Sequence, residues 1–276
     1  MKICHLCHHH CQLEEGQTGF CRVRTLKNQQ NICGNYGFIT ALALDPIEKK
    51  PLARFYPGST ILSMGSYGCN LRCPFCQNFS IAQQGREGFE PILTTPQQLA
   101  QKALALKPAR NLGVAFTYNE PLLSWEFIRD TGRLIHANGQ KNVVVTNGNF
   151  SVATAKALED IVDAYNIDLK GFSPAWYEKL GGNLDMVKAY ILEACQTAHV
   201  EITTLIVPGE NDSPEEMDAM SAWLADISPD IPLHVSKFFP HWNMVDRGET
   251  PTGRVYRLAE TARTHLRHVY TGNCQD

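Results

Sequence analysis

The sequence predicts an α/β protein: a partial (β/α)6 TIM-type barrel carrying a small Cys-rich N-terminal metal-binding segment. Three observations carry this expectation. From about residue 60, short apolar runs alternate with amphipathic helical stretches about six times. The runs are continuously apolar rather than alternating, as expected for parallel strands buried on both faces. Unusual polar residues also collect where strands should end: Cys69–Cys76, Asn119–Glu120, Asn147, Asp168–Lys170, Pro208–Asp212 and Phe239–Trp242. Strand C-termini form the active-site face of barrels and of α/β folds in general, so these ends point to one convergent site. Six units are too few for the usual eight-stranded barrel, and the dinucleotide fingerprint G-x-G-x-x-G is absent.

The elements follow in order. Residues 1–59 form a Cys-rich segment followed by short strands and turns, and 60–276 form the barrel. "TILSMGSYG" is the first strand of the repeat. "TTPQQLAQKALAL" is a helix with a Thr N-cap and Pro in its first turn. "NLGVAFTY" (Asn111–Tyr118) is the second strand. "SWEFIRDTGRLIHANG" is a helix closed by Gly139. "NVVVTNG" is a strand, and "SVATAKALEDIV" a helix capped by Ser151. "YNIDLKG" is a strand and "DMVKAYILEACQTA" a helix. "VEITTLIVPG" is a strand, and "SPEEMDAMSAWLADI" a helix with Ser213 and Glu216 as a capping box. "PLHVSKFFP", "GRVYRLAETARTHL" and "RHVYTG" complete the pattern as strand, helix and strand.

The chain has 276 residues, is 43% hydrophobic and has a formal net charge of −3, which suits one substantial core. No basic run stands out, so nucleic acid is not the expected partner. "IEKK" (Ile47–Lys50) reads as solvated charge. No stretch is apolar enough for a bilayer, and "MKICHLCHHHC" lacks a signal-peptide core. The expected location is the cytoplasm, where thiols stay reduced. The ten Cys therefore read as metal ligands, seven of them in two clusters.

"GCNLRCPFCQN" (Gly68–Asn78) offers Cys69, Cys73 and Cys76 as C-x3-C-x2-C. A cubane iron–sulfur cluster takes one ligand per iron, so three Cys leave one iron open for chemistry. The alternative is a zinc site with a fourth ligand from elsewhere, such as His241. The earlier cluster, Cys4, Cys7, Cys11 and Cys21, suits a closed four-thiolate site, either zinc or a second iron–sulfur cluster. One of His8–His10 could replace a thiol there. Asn147 ends the third strand and is a candidate cofactor contact. His234 and Ser236 share a face of the sixth strand, and His241 follows that strand near the expected mouth.

C-x3-C-x2-C after the first strand of a βα repeat, with the aromatic Phe75 before the third Cys, resembles the radical S-adenosylmethionine (SAM) superfamily. The resemblance implies a [4Fe-4S] cluster on the three Cys and SAM on the open iron. Reductive cleavage of SAM would give a 5′-deoxyadenosyl radical that abstracts hydrogen from a substrate. "TYNEP" (Thr117–Pro121) stands where that superfamily carries "GGEP", so Glu120 is expected to meet the SAM amino group. Tyr118 and Asn119 replace the two glycines. "NIDLKGF" and "IVPGEND" resemble activating enzymes of glycyl-radical proteins, which brings Asp168 and Lys170 near SAM and substrate. "LALDPIEKKPLARFYPGSTILSMGSYGCNLRCPFCQNFSIAQ" is similar to the AmmeMemoRadiSam-system radical SAM enzymes, relatives of pyruvate formate-lyase activating enzyme. Many of those carry His where this chain has Phe239. The implied partners are a protein, peptide or small-molecule substrate and an electron donor such as flavodoxin or ferredoxin. The competing reading is a non-catalytic zinc-binding interaction module.

Overall fold

The computed structural model describes residues 1–90 and 92–274. Its centre is one eight-stranded sheet. The strands are β1 (Ala41–Pro46), β2 (Thr60–Gly65), β3 (Asn111–Phe116), β4 (Lys141–Thr146), β5 (Ala164–Asp168), β6 (His199–Ile206), β7 (Leu233–Lys237) and β8 (Val269–Gly272). They lie side by side in chain order, with β1 and β8 as the two edges. β2 to β8 are parallel, and β1 runs antiparallel to β2. This is the expected partial barrel: six βα units and a closing strand. β1 falls within the stretch assigned to the N-terminal segment, yet it extends the barrel sheet.

The parallel strands are rich in apolar residues because both faces are covered. Ile61, Ala115, Val143 and Ala164 pack with Ile47 and Leu52, whereas Leu62, Val114, Val144 and Ile202 join the large core shared with the helices. Residues Ile47–Phe55 thus plug the end where the parallel strands begin. "IEKK" is solvated only in part: Glu48 and Lys49 are exposed as expected, but Ile47 and Lys50 are buried, and Lys50 Nζ meets Asp45 at 2.9 Å.

The helices that connect the parallel strands are α1 (Pro96–Ala105), α2 (Trp125–Ala137), α3 (Val152–Lys156), α4 (Leu184–Ala194), α5 (Pro214–Ile227) and α6 (Thr252–Arg263), with two further short helices at Phe79–Ala82 and Pro174–Lys179. Thr95 and Gln98 form a complete capping box on α1. Two expected caps differ. Ser151 makes no cap bond to α3, which is one short turn, because its Oγ faces Thr154 Oγ1 instead. Ser213 caps α5 as expected, but the Glu216 side chain accepts from Phe172 N rather than closing a box. No described helix is long and apolar enough to cross a membrane.

The N-terminal segment holds two small antiparallel hairpins, Lys2–Ile3 with Gln12–Leu13 and Arg24–Lys27 with Gln30–Cys33. Asn28 and Gln29 both take positive φ, the backbone that a tight two-residue hairpin turn demands. Arg24 docks the segment on α2 through two 2.7 Å bonds to the Glu126 carboxylate.

Candidate functional site

A cleft of about 710 Å³ opens at the C-terminal ends of the parallel strands. Cys69, Cys73, Phe75, Cys76, Asn119, Glu120, Asn147, Asp168, Lys170, His234 and Ser236 all line it. Strand ends far apart in sequence converge there because a barrel gathers its βα loops at one face. His241 is the exception. It is not among the lining residues but packs against Phe79, with ring centroids 5.7 Å apart. It therefore does not complete a site with the three thiols.

The thiol loop is held from several sides. Gly68, at φ +86°, begins it, and a Cβ there would stand 2.7 Å from the Cys21 carbonyl oxygen. Only glycine fits this approach. Cys69 Sγ accepts from Leu71 N at 3.3 Å and lies 3.6 Å from Asn147 Nδ2. Burial pushes the Cys73 thiol up to about 11, against the nearby Lys170 ammonium, which favours the thiolate. Metal must therefore displace protons to bind. Among the described residues no three Cys, His, Asp or Glu are arranged to hold a single metal ion. A cubane asks for something else: each thiolate binds its own iron, so the sulfurs need not meet at one point. Three thiols facing a roomy cleft fit that group.

Glu120 is buried beside the thiol loop. Its carboxylate accepts from Thr146 Oγ1 at 2.7 Å, Asn147 N at 2.9 Å and Leu122 N at 3.0 Å. A carboxylate offers about four acceptor positions, so one remains for a cleft ligand. Burial raises its pKa to about 7, and those three donors hold it from rising further. Asn119 spends its side chain on the loop before Cys69. Its Oδ1 accepts from Ser66 N at 2.9 Å, and its Nδ2 donates to Tyr67 O at 3.0 Å and Gly68 O at 3.2 Å. Its side chain thus positions the loop, while the residue also lines the cleft.

Lys170 Nζ meets Asp168 at 2.9 Å. Burial opposes the ammonium charge, but Asp168 and Cys73 outweigh it and hold Lys170 well above the ordinary range. Phe75 stacks on Trp176 at 6.0 Å and meets Phe238 edge-on at 6.2 Å. His234 lies deeper. Its Nε2 pairs with Glu201 Oε2 at 2.6 Å and its ring stacks on Tyr270.

Sequence reasoning passed over two groups. One is Tyr118, which has φ +71° and so adopts the left-handed backbone that glycine would take easily. Such a residue costs on the order of 1–3 kcal/mol. Its hydroxyl donates to Asp45 at 2.8 Å, and Lys50 Nζ lies 4.7 Å from its ring centroid. The glycine replacement was visible, but the anchor was hidden because Lys50 read as surface charge. The other is Glu201, whose partners come from three separate segments.

The four thiols of the N-terminal segment line one small cavity with Leu6, His9, Phe20 and Arg24. His9 Nε2 pairs with Asn70 O at 2.9 Å, and His8 Nδ1 with Asn149 Nδ2 at 2.7 Å. These two His are thus spent on docking to barrel loops. Arg72 donates to Phe20 O and covers its ring.

Comparison with known proteins adds the family. Residues 64–221 match the model of the radical SAM superfamily. An uncharacterized protein of Methanocaldococcus jannaschii is 36% identical over 282 residues, covering 98% of this chain and 80% of that protein. Among solved structures, a domain of pyruvate-formate lyase-activating enzyme from Bacteroides vulgatus superposes with a TM-score of 0.50 at 19% identity, covering 58% of this chain and 99% of that one. Streptococcus suis SuiB bound to its precursor peptide SuiA gives a TM-score of 0.60 at 15% identity, covering 82% and 51%. The structural likenesses speak for the fold, and the family implies a [4Fe-4S] cluster and SAM. With its three-thiol loop on the strand-end cleft and the superfamily match over residues 64–221, the chain belongs to the radical SAM superfamily.

Proposed function

We propose that Cys69, Cys73 and Cys76 hold the [4Fe-4S] cluster, that SAM binds the open iron, and that the enzyme abstracts hydrogen in the manner of an activating enzyme. The substrate would be a protein glycine, as in the activating enzymes that the sequence resembles, or another protein, peptide or small molecule. The observation that carries this reading is the shared cleft: three thiols, a buried carboxylate and the Asp168–Lys170 pair on one wall system. When bound, the cluster and SAM supply one-electron cleavage to methionine and a 5′-deoxyadenosyl radical. The chain's residues do the rest. Asn147 steers Cys69, Glu120 offers a carboxylate to an ammonium group, and Phe75 backs the loop with an aromatic wall. Asp168, Lys170, His234 and Ser236 face the space left for the remainder of SAM and for substrate. The peptide-bound SuiB neighbour supports a peptide substrate. A flavodoxin or ferredoxin in the cytoplasm would supply the electron.

Anaerobic incubation with SAM and a strong one-electron reductant, followed by chromatography for 5′-deoxyadenosine, tests the reading. A brown protein that releases 5′-deoxyadenosine is expected. A colourless, zinc-loaded protein without that product would establish the zinc-binding interaction module instead.

We further propose that Cys4, Cys7, Cys11 and Cys21 hold a second metal, an iron–sulfur cluster or a zinc ion on which the thiols close, and that the Cys-rich part of 1–59, ahead of β1, serves as a metal-held cap on the barrel. The shared cavity supports this, as do N–H···S bonds from Phe20 N to Cys11 and from Arg24 N to Cys21, both 3.4 Å. Structural thiolate sites in small zinc domains contribute on the order of 10 kcal/mol to folding. Cys7→Ala should therefore lower metal content and the melting midpoint by more than about 10 °C. An unchanged midpoint and metal content would remove the second site.

A further inference from the structure

Where the superfamily carries a glycine pair this chain has Tyr118 and Asn119, and Tyr118 takes a left-handed backbone that favours glycine. Tyr118 has φ +71° on the connection between β3 and Glu120. A side chain at such a position relaxes to φ below zero unless its surroundings fix it. Three features fix this one. Gly65 leaves room, since a Cβ there would stand 2.9 Å from the Tyr118 ring. The phenol donates to the buried Asp45 at 2.8 Å. Lys50, buried and paired with Asp45 at 2.9 Å, lies over the ring. Asp45 comes from β1 and Lys50 from the plug, so the anchor reaches from the far end of the barrel to the strand-end face.

The residues on either side of Tyr118 are those that face the cleft. Thr117, Tyr118, Asn119 and Glu120 all line it. The Asn119 amide bonds Tyr67 O and Gly68 O, so the turn also touches the start of the thiol loop. Relaxation at Tyr118 would swing the 118–120 peptide groups and the Glu120 carboxylate together.

We propose that Tyr118 is a positioning residue: anchored by Asp45 and Lys50, it holds a left-handed turn that glycine would take easily, and thereby sets the Thr117–Glu120 wall against SAM. The inference rests on the reading that SAM binds this cleft.

The test compares SAM affinity of reconstituted protein, read by titration against the cluster's electron paramagnetic resonance signal, with iron content measured alongside. Tyr118→Phe keeps the ring and the backbone demand but loses the anchor. It should bind SAM about tenfold more weakly, about 1.4 kcal/mol, with iron unchanged. Asp45→Ala, which removes the acceptor, should match it, and it carries the same test if Tyr118→Phe does not fold. Tyr118→Gly removes the anchor and the demand together, and should bind within about threefold of wild type. A side chain that merely packs gives the opposite order, with Gly worst. Wild-type affinity in Tyr118→Phe, or weaker binding in Tyr118→Gly than in Tyr118→Phe, overturns the inference. Wild-type protein with a full cluster and no SAM binding overturns instead the functional reading beneath it.

Discussion

The two ends of the barrel treat buried polar groups in opposite ways. At the plugged end, Glu201 is fully buried and fully matched. It accepts from His199 at 2.9 Å, His234 at 2.6 Å, Ala53 N at 2.9 Å and Arg54 N at 2.8 Å. Asn166 donates to Pro51 O nearby at 2.8 Å. Every partner is protein, and the result is a closed floor beneath the cleft, which Pro51, Ala53 and His234 line. At the strand-end face, thiols, an acceptor position of Glu120 and the Lys170 ammonium face a cleft instead. Burying a charge is tolerated only with partners. An end that supplies all of them from its own chain is a lid, and one that leaves some to a ligand is a site. Their electrostatics agree. Burial alone would raise Glu201, but its four donors bring it down to about 2, whereas burial lifts Glu120 to about 7.

The sharpest way to separate the ends is to break one and read the other. Cys73→Ala should reduce 5′-deoxyadenosine formation to background, while the acid-unfolding behaviour governed by Glu201 stays as in wild type. Wild-type product from this variant would remove Cys73 from the site.

Breaking the plugged end should have a smaller effect of a different kind. Glu201 has its folded pKa below its unfolded value, so its contribution to stability is present above about pH 4.5 and is lost as pH falls through about 2. The shift corresponds to roughly 3 kcal/mol at 1.36 kcal/mol per unit. Glu201→Gln should lose about that much unfolding free energy at pH 7, and the difference from wild type should shrink toward pH 2. Denaturant melts across that range read it, and a pH-independent difference would assign the effect to packing.

The smallest expected effect lies at Glu120. Its folded pKa of about 7 means that the carboxyl is largely protonated at pH 6 and ionised at pH 8. An ammonium ligand prefers the ionised form, so SAM affinity should rise about tenfold from pH 6 to pH 8. Glu120→Gln should bind SAM more weakly at pH 8 and lose this pH dependence, with iron content unchanged. A flat wild-type profile would take the carboxylate out of SAM recognition.

Much of the barrel was legible because its signals are local or periodic. Continuous apolar runs gave β2 through β8, and the Thr95, Ser213 and Gly139 helix signals fell at true helix ends. The C-x3-C-x2-C loop was legible because its three donors lie within eight residues. The two-residue hairpin turn at Asn28–Gln29 was not. Neither was the short helix Pro174–Lys179, because six residues carry too little period to stand out.

What the sequence determined by itself was the parallel βα order, the thiol loop and the list of polar strand ends, because each rests on spacing along the chain. Only the tertiary structure decided which of those groups serve the cleft. His241 fell outside it, His8 and His9 were spent on docking, Asn119 was turned to hold the thiol loop, and Glu216 left its cap for Phe172. It also turned Lys50 of "IEKK" inward, because β1 runs antiparallel along β2 and delivers Lys50 to Asp45 and Tyr118. The physical reason is that a polar side chain takes the nearest partner once water is removed. In this chain that partner lies dozens of residues away, as with Tyr118 and Asp45 or His234 and Glu201, where no period or motif reaches.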